Sequence, residues 1–172
     1  TGREEFAKAA AECIAFENST YDASRNNWPD LRSVGGAAWL CQWCHGATGI
    51  GLARIATSKS RARDLRAGSV IEKASLEADV SNAILGVERN WPHPIDTMCC
   101  GTLGSIEFFC AAGDALRRND LREVASQRLM EVVQAASSTG DYRLYAGGRR
   151  FNVGLFRGLS GVGYCCLRRA AP

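Results

Sequence analysis

The chain has 172 residues, of which 46% are hydrophobic and 23% charged, as in globular proteins that are long enough to bury a core. Its net charge of +3 and its scattered arginines exclude an extended basic surface for nucleic acid. No apolar run approaches the roughly 18 residues of a membrane-spanning helix, and no signal peptide is visible. We therefore expect a protein that binds no nucleic acid and inserts into no membrane.

The first part of the chain contains two predicted helices. Residues 3–18 carry apolar side chains at helical spacing, which predicts an amphipathic helix with a buried stripe from Phe6 to Ile14. Residues 19–38 break this periodicity with asparagine, proline and glycine, which indicates a long irregular connection. Residues 46–58 are small or apolar and predict a short helix.

A longer amphipathic helix is predicted over residues 69–88. Ser69 with Glu72 three residues later has the pattern of a capping box at its start. Residues 89–98 contain two prolines and are predicted to form a loop. Residues 102–117 are largely apolar and predict another helix, which a glycine-containing turn opens.

The last part repeats the same alternation. Residues 119–136 predict an amphipathic helix that Asn119 or Asp120 can cap. Its expected buried face consists of Leu121, Val124, Ala125, Leu129, Val132 and Val133. Residues 138–157 form a loop rich in glycine and arginine, and residues 158–170 resemble the two earlier apolar helices.

This order predicts an all-α architecture of repeated helical hairpins. A helix that is apolar all round has to be covered on every side, whereas an amphipathic helix can lie at the surface. Apolar inner helices surrounded by amphipathic outer helices satisfy both requirements. We therefore expect an α/α toroid, or part of one, with strands limited to short pieces.

A Gly-x-x-Gly motif stands at the start of each predicted inner helix, and its copies lie 55 and 57 residues apart. The three copies are Gly46 with Gly49, Gly101 with Gly104, and Gly158 with Gly161. Cysteines precede the motif in the first two copies, namely Cys44, Cys99 and Cys100. If the inner helices all start at one end of the ring, these three thiols converge there.

The eight cysteines indicate a cytoplasmic protein with reduced thiols, some of them bound to metal, because two of the pairs are adjacent residues that rarely form a disulfide. A helix N-terminus favours the thiolate, which is the form that binds zinc. Three protein ligands would leave the open position of a catalytic site, whereas Cys41 as a fourth would close a structural site. A thioredoxin-like role for Cys41 and Cys44 needs strands that are not predicted. The remaining cysteines are expected in the core: Cys13, Cys110, Cys165 and Cys166.

Several motifs in a fixed order give the chain a family resemblance. They are Asn27–Asp30 (NWPD), Trp43–Gly46 (WCHG), Gly49–Arg54 (GIGLAR), Cys99–Gly101 (CCG) and Gly154–Tyr164 (GLFRGLSGVGY). With these motifs the chain resembles the cyclase domain of lanthipeptide synthetases, most of all the C-terminal portion of the bifunctional class II enzymes. The resemblance implies a toroid that uses zinc to add a cysteine thiol of a precursor peptide to dehydroalanine or dehydrobutyrine. The product would be a lanthionine or methyllanthionine thioether ring.

The resemblance implies that Cys44, Cys99 and Cys100 are the zinc ligands. Many members of the family have histidine where this chain has Cys100, and a subset has three cysteines. Three protein thiolates and a substrate thiolate on one Zn²⁺ carry a net charge of −2. The substrate sulfur should therefore be more electron-rich and close rings faster and less selectively than with a histidine ligand.

Four further residues are candidates for a part in the site. His45 could accept the thiol proton or protonate the enolate that forms after attack, and the alternative is that it only packs or hydrogen-bonds beside the metal. His93 lies in a proline-bounded loop and is expected to face solvent. Asp96 and Arg54 are candidates for substrate contacts.

The family's upstream histidine motif has no counterpart here, so we expect residues 1–172 to be the C-terminal part of a cyclase domain. The dehydratase domain of a bifunctional enzyme would then be missing from the chain. Two other functions stay open at this point. One is a non-catalytic toroid that binds peptides or thiols, and the other is a structural zinc domain closed by Cys41.

Overall fold

The computed structural model describes residues 3–32, 36, 38–61, 71–145 and 151–170. In these ranges the chain forms six α-helices, and its β-type pairing is limited to isolated bridges. The helices are α1 (Glu4–Ser19), α2 (Ala47–Arg61), α3 (Lys73–Arg89), α4 (Thr102–Leu116), α5 (Asn119–Thr139) and α6 (Leu159–Ala170). The predicted all-α class is confirmed, and a thioredoxin-like fold is excluded. None of the described helices is both long enough and apolar enough to cross a bilayer.

Helical hairpins form two layers. Helix α3 packs along α2, and α5 packs along α4, while α2, α4 and α6 pack against one another in that order. Residues 102–110 of α4 are all buried, because α4 has neighbours on several sides. The inner layer of α2, α4 and α6 with α3 and α5 outside it is an arc of the predicted α/α toroid.

Residues 102–113 of α4 are buried or half-buried, whereas the end of α4 and the other two inner helices have exposed residues. In α6 the buried residues are Gly161, Val162 and Cys165, whereas Leu167 is 72% exposed. The prediction that every inner helix is covered all round is therefore wrong for α6, whose contacts with α4 cover one side of it.

The expected buried stripe of α1 is also wrong. Ile14 is its one buried residue, while Phe6 is 51% exposed and Cys13 is exposed as well. The predictions for Cys110 and Cys165 are confirmed, since both lie in the core. Helix α1 is instead held at its C-terminal end by polar contacts.

Arg54 makes these polar contacts from α2. It is 2% exposed, and its Nε donates to Asp79 of α3 at 2.7 Å. Its Nη1 donates to Glu17 at 2.7 Å and its Nη2 to Asn18 at 3.1 Å, both at the end of α1. Arg54 thus joins three helices, and the expectation that it contacts substrate is wrong.

The cap predicted for α5 is wrong, and the capping box predicted for α3 rests on a residue outside those that the structure describes. Helix α3 has Glu72 at its N-cap without a side-chain cap bond, and Ser69 lies outside the described residues. Arg117, which ends α4, has a left-handed backbone, and the next residue, Arg118, is the N-cap of α5. The side chain of Arg118 makes no capping hydrogen bond. The predicted inner face of α5 is confirmed, with its leucines fully buried and Val124 and Val133 partly buried.

Candidate metal centre

A backbone carbonyl fills the space where each glycine of the three Gly-x-x-Gly turns would carry a Cβ. In every case the oxygen belongs to the residue six positions earlier, and it lies between 1.8 and 2.4 Å from the ideal Cβ position. The pairs are Gly46 with Leu40, Gly49 with Trp43, Gly101 with Ile95, Gly104 with Met98, Gly158 with Asn152, and Gly161 with Leu155. The chain before each inner helix folds back over its first turn so closely that only glycine fits. This geometry is the physical reason for the sequence repeat.

Backbone hydrogen bonds join the three turns side by side. The Trp43 amide donates to the Cys99 carbonyl at 2.9 Å, and the Cys99 amide donates to the Phe156 carbonyl at 2.9 Å. The Trp43 and Phe156 rings pack with their centroids 5.0 Å apart. The third turn therefore lies directly against the two turns that carry cysteines.

Cys44, Cys99 and Cys100 come together at these turns. Their Sγ atoms all lie within 4.8 Å of one another, and they form the one such cluster of potential metal ligands in the described parts of the chain. Zinc bound to thiolates at about 2.3 Å in tetrahedral geometry sets its sulfurs about 3.8 Å apart. The donor set and its spacing therefore fit a zinc ion.

Cys41 lies outside this cluster. Its side chain is 3% exposed, and its sulfur lies 3.4 Å from the Thr48 hydroxyl in the interior. Burial raises the pKa of this thiol. Cys41 is thus a buried neutral thiol and not a fourth member of the group.

The surroundings of Cys44 and Cys100 oppose the ionisation of these two thiols. Burial, followed by the neighbouring Cys99, raises the pKa of Cys44 and raises that of Cys100 to about 12. The N-termini of α2 and α4 begin within three residues of these sulfurs and provide partial positive charge. A divalent cation would remove the remaining repulsion, because metal-bound thiols are deprotonated.

A charged residue from the third turn also faces the cluster. Arg157 Nη2 lies 3.8 Å from the Cys100 sulfur. Arg157 was not among the predicted site residues, although the repeat contains the signal for it. Arg157 directly precedes Gly158, just as Cys100 directly precedes Gly101.

His45 stands next to Cys44 and faces a carboxylate. Its Nε2 lies 3.7 Å from Asp30 Oδ2, and Asp30 also binds the Arg32 guanidinium through two contacts of 2.8 Å. Burial lowers the pKa of His45, and Asp30 partly opposes this effect. Among the described residues, His45 Nδ1 has no hydrogen-bond partner although it is buried. The imidazole is therefore neutral near pH 7, and the Asp30 carboxylate can stabilise its protonated form.

His93 does not face solvent, so that expectation is wrong. It is 7% exposed, and its Nε2 lies 2.8 Å from the Ser105 hydroxyl of α4. The loop that carries it folds inward because Asp96, which is 3% exposed, accepts the Arg143 amide at 2.9 Å and its Nη2 at 2.6 Å. Asp96 is thus saturated by Arg143, and the expectation that it contacts substrate is also wrong.

A cleft of about 320 Å³ opens beside Cys44, between the end of α1 and the start of α2. Its lining is largely apolar and aromatic and includes Phe16, Trp28, Leu31, Trp43, His45 and Ile50. A chain segment placed in this cleft would lie next to the cysteine cluster.

A sequence model of the family described as lanthionine synthetase C-like protein matches residues 1–172. A search of curated proteins finds no match.

Proposed function

The chain belongs to the lanthionine synthetase C-like family, and we propose that it is a zinc-dependent peptide cyclase that forms lanthionine or methyllanthionine rings. The observation that supports this proposal is the meeting of three thiols from two separate turns, Cys44 from the first and Cys99 with Cys100 from the second. Three thiols with no fourth cysteine among them match the ligand count of a catalytic zinc site, in which one position stays open.

In this proposal Cys44, Cys99 and Cys100 hold the zinc ion. Zinc bound there would supply a Lewis acid that lowers the pKa of a coordinated substrate thiol. The exposed position of Cys44 at the tip of its turn leaves room for such a thiol to approach. The cleft beside Cys44 would hold the apolar part of a precursor peptide.

The reaction itself is an addition without oxidation or reduction. The substrate sulfur forms a bond to the β-carbon of the dehydro residue, the electron pair of the C=C bond moves toward the α-carbon and its carbonyl, and a proton completes the α-carbon. We propose that His45 accepts the thiol proton and returns it to the α-carbon. Asp30 would stabilise the protonated imidazole between these two transfers, since its carboxylate faces Nε2 at 3.7 Å.

We further propose that residues 1–172 form the C-terminal part of a cyclase domain. A dehydratase, on the same polypeptide or a separate one, must supply its substrate, because the reaction consumes dehydrated serine or threonine residues.

Ring closure leaves the mass of the peptide unchanged, so the test counts free thiols. A dehydrated peptide that contains cysteine is incubated with the zinc-loaded chain and then treated with N-ethylmaleimide, which adds mass to each remaining thiol. After incubation with the wild type we expect no alkylation of the peptide's thiols. The same result is expected with Cys13→Ser, which removes the exposed thiol of α1. Cys99→Ser should leave alkylation complete.

The two alternative functions predict other results, one in this assay and one in the zinc content of a cysteine variant. A non-catalytic toroid would bind the peptide and leave all its thiols open to alkylation. A structural zinc domain closed by Cys41 would lose its metal in a Cys41→Ser variant. The position of Cys41 beside Thr48 disfavours this alternative.

A further inference from the structure

We propose that Arg157 is a positioning residue of the metal centre, which donates a hydrogen bond to the Cys100 sulfur and offsets part of the negative charge of three thiolates. The inference rests on the proposed zinc centre and goes beyond it, because it gives the third repeat a part in a site to which that repeat contributes no cysteine.

The register of the repeat gives the first argument. The residue directly before the first glycine of each turn is His45 in the first copy, Cys100 in the second and Arg157 in the third. In each turn the first glycine lies under the carbonyl of the residue six positions earlier, and the inner helix begins at the next residue, so these three residues occupy equivalent positions at the same end of the inner helices. Arg157 therefore stands where the preceding repeat has a sulfur.

The contacts between the turns give the second argument. The Phe156 carbonyl accepts the Cys99 amide at 2.9 Å, and the Phe156 ring packs on Trp43. These two contacts fix the backbone immediately before Arg157 against both cysteine-bearing turns. From there the side chain reaches Cys100, where Nη2 lies 3.8 Å from Sγ.

Charge gives the third argument. Arg32 also interacts electrostatically with Cys44, but Asp30 already neutralises it through two hydrogen bonds. Within the described residues, no carboxylate lies within ion-pair distance of Arg157. Three thiolates and one Zn²⁺ carry a net charge of −1, so an uncompensated guanidinium beside one sulfur brings the centre close to neutrality.

The test measures zinc affinity by competition with a chromophoric chelator at pH 7 and low ionic strength. We expect Arg157→Gln, which keeps a polar side chain and removes the charge, to weaken zinc binding by about tenfold, as loss of a charge-assisted hydrogen bond does. Arg157→Lys should stay within about threefold of the wild type, because it keeps the charge. The matched control is Arg122→Gln on α5, whose ion pair with Asp114 is exposed and far from the turns, and it should bind zinc as the wild type does.

Salt separates a charge effect from a packing effect. At 1 M KCl the Debye length falls to about 3 Å, so the difference between wild type and Arg157→Gln should shrink severalfold. In the cobalt-substituted protein, the sulfur-to-metal charge-transfer band should shift in Arg157→Gln and remain in place in Arg122→Gln.

Every outcome bears on the inference. Equal zinc affinity of the wild type and Arg157→Gln at low salt would overturn it and leave the proposed function intact. A loss that Arg157→Lys shares and that salt does not change would overturn it in favour of packing. A wild type that binds no zinc overturns both proposals, whereas a wild type that binds zinc without closing rings overturns the proposed function alone.

Discussion

Gly46 meets the carbonyl oxygen of Leu40 so closely that a Cβ on Gly46 would lie 1.8 Å from that oxygen. The same glycine has a φ of +76°. Two separate demands, a left-handed backbone and a close approach, therefore require glycine at the turn that presents Cys44 to the cluster.

These two demands can be separated by substitution. Gly140 at the end of α5 has a φ of +75° and nothing within 4 Å of its ideal Cβ, so Gly140→Ala reports the backbone penalty alone, about 1 kcal/mol. Gly46→Ala should cost about 3 kcal/mol or more, since the turn also has to move away from Leu40. Urea unfolding of both variants measures the difference, and equal losses would show that the close approach is unimportant.

Arg54 is expected to be among the most costly residues to remove. Arg54→Ala would leave the Asp79 carboxylate, 7% exposed, buried without its cation, at a cost of about 3–5 kcal/mol. Arg122→Ala breaks an exposed ion pair with Asp114 and should cost less than about 1 kcal/mol. Thermal and urea unfolding compare the two variants, and a loss for Arg54→Ala as small as that for Arg122→Ala would contradict the assigned role.

His93 should make stability depend on pH. Burial, followed by the nearby Arg128, lowers the pKa of His93 in the folded protein from its usual 6.5. Between the folded value and about 6.5 the unfolded chain binds the proton and the folded chain does not, so this stability is lost as the pH falls below about 6.5. His93→Gln keeps a polar contact to Ser105 and should flatten the fall in unfolding free energy between pH 7.5 and 5.5. A variant with the same pH dependence as the wild type would show that His93 is not responsible.

The features of this structure that the sequence predicts are those that come from a repeated residue pattern. The Gly-x-x-Gly repeat, with cysteines at a fixed distance before it, indicates both the hairpin order and the meeting of Cys44 with Cys99 and Cys100. The burial of His93 is not readable from the sequence, because it depends on Arg143, 50 residues later, drawing Asp96 and its loop inward. Nor is the exposure of the apolar side of α1, since an apolar stripe does not show whether a neighbouring element covers it.

Arg157 lies at the cysteine cluster but was not predicted as a site residue. An arginine in a glycine-rich segment has the composition of a surface loop, and only alignment of the three copies on their first glycine places it in register with Cys100. The charge balance at the cluster then indicates that Arg157 offsets negative charge there, which the composition of its segment does not indicate.

Cys100 sets the charge of the proposed centre, so its exchange for histidine should change the rate and the selectivity of ring closure. Cys100→His removes one negative charge and makes the substrate sulfur less electron-rich. We expect slower closure and a narrower set of ring products, measured by thiol alkylation and fragmentation on several dehydrated peptides. Unchanged rates and product patterns would contradict the expected effect of a third thiolate.

The most direct test of the central claim is the zinc content of the purified chain and of its cysteine variants. We expect one zinc ion per chain in the wild type, in Cys13→Ser and in Cys41→Ser, and loss of zinc in Cys44→Ser, Cys99→Ser and Cys100→Ser. A wild type without zinc, or a Cys41→Ser variant that loses zinc as completely as Cys44→Ser, would contradict a three-thiolate centre with an open position.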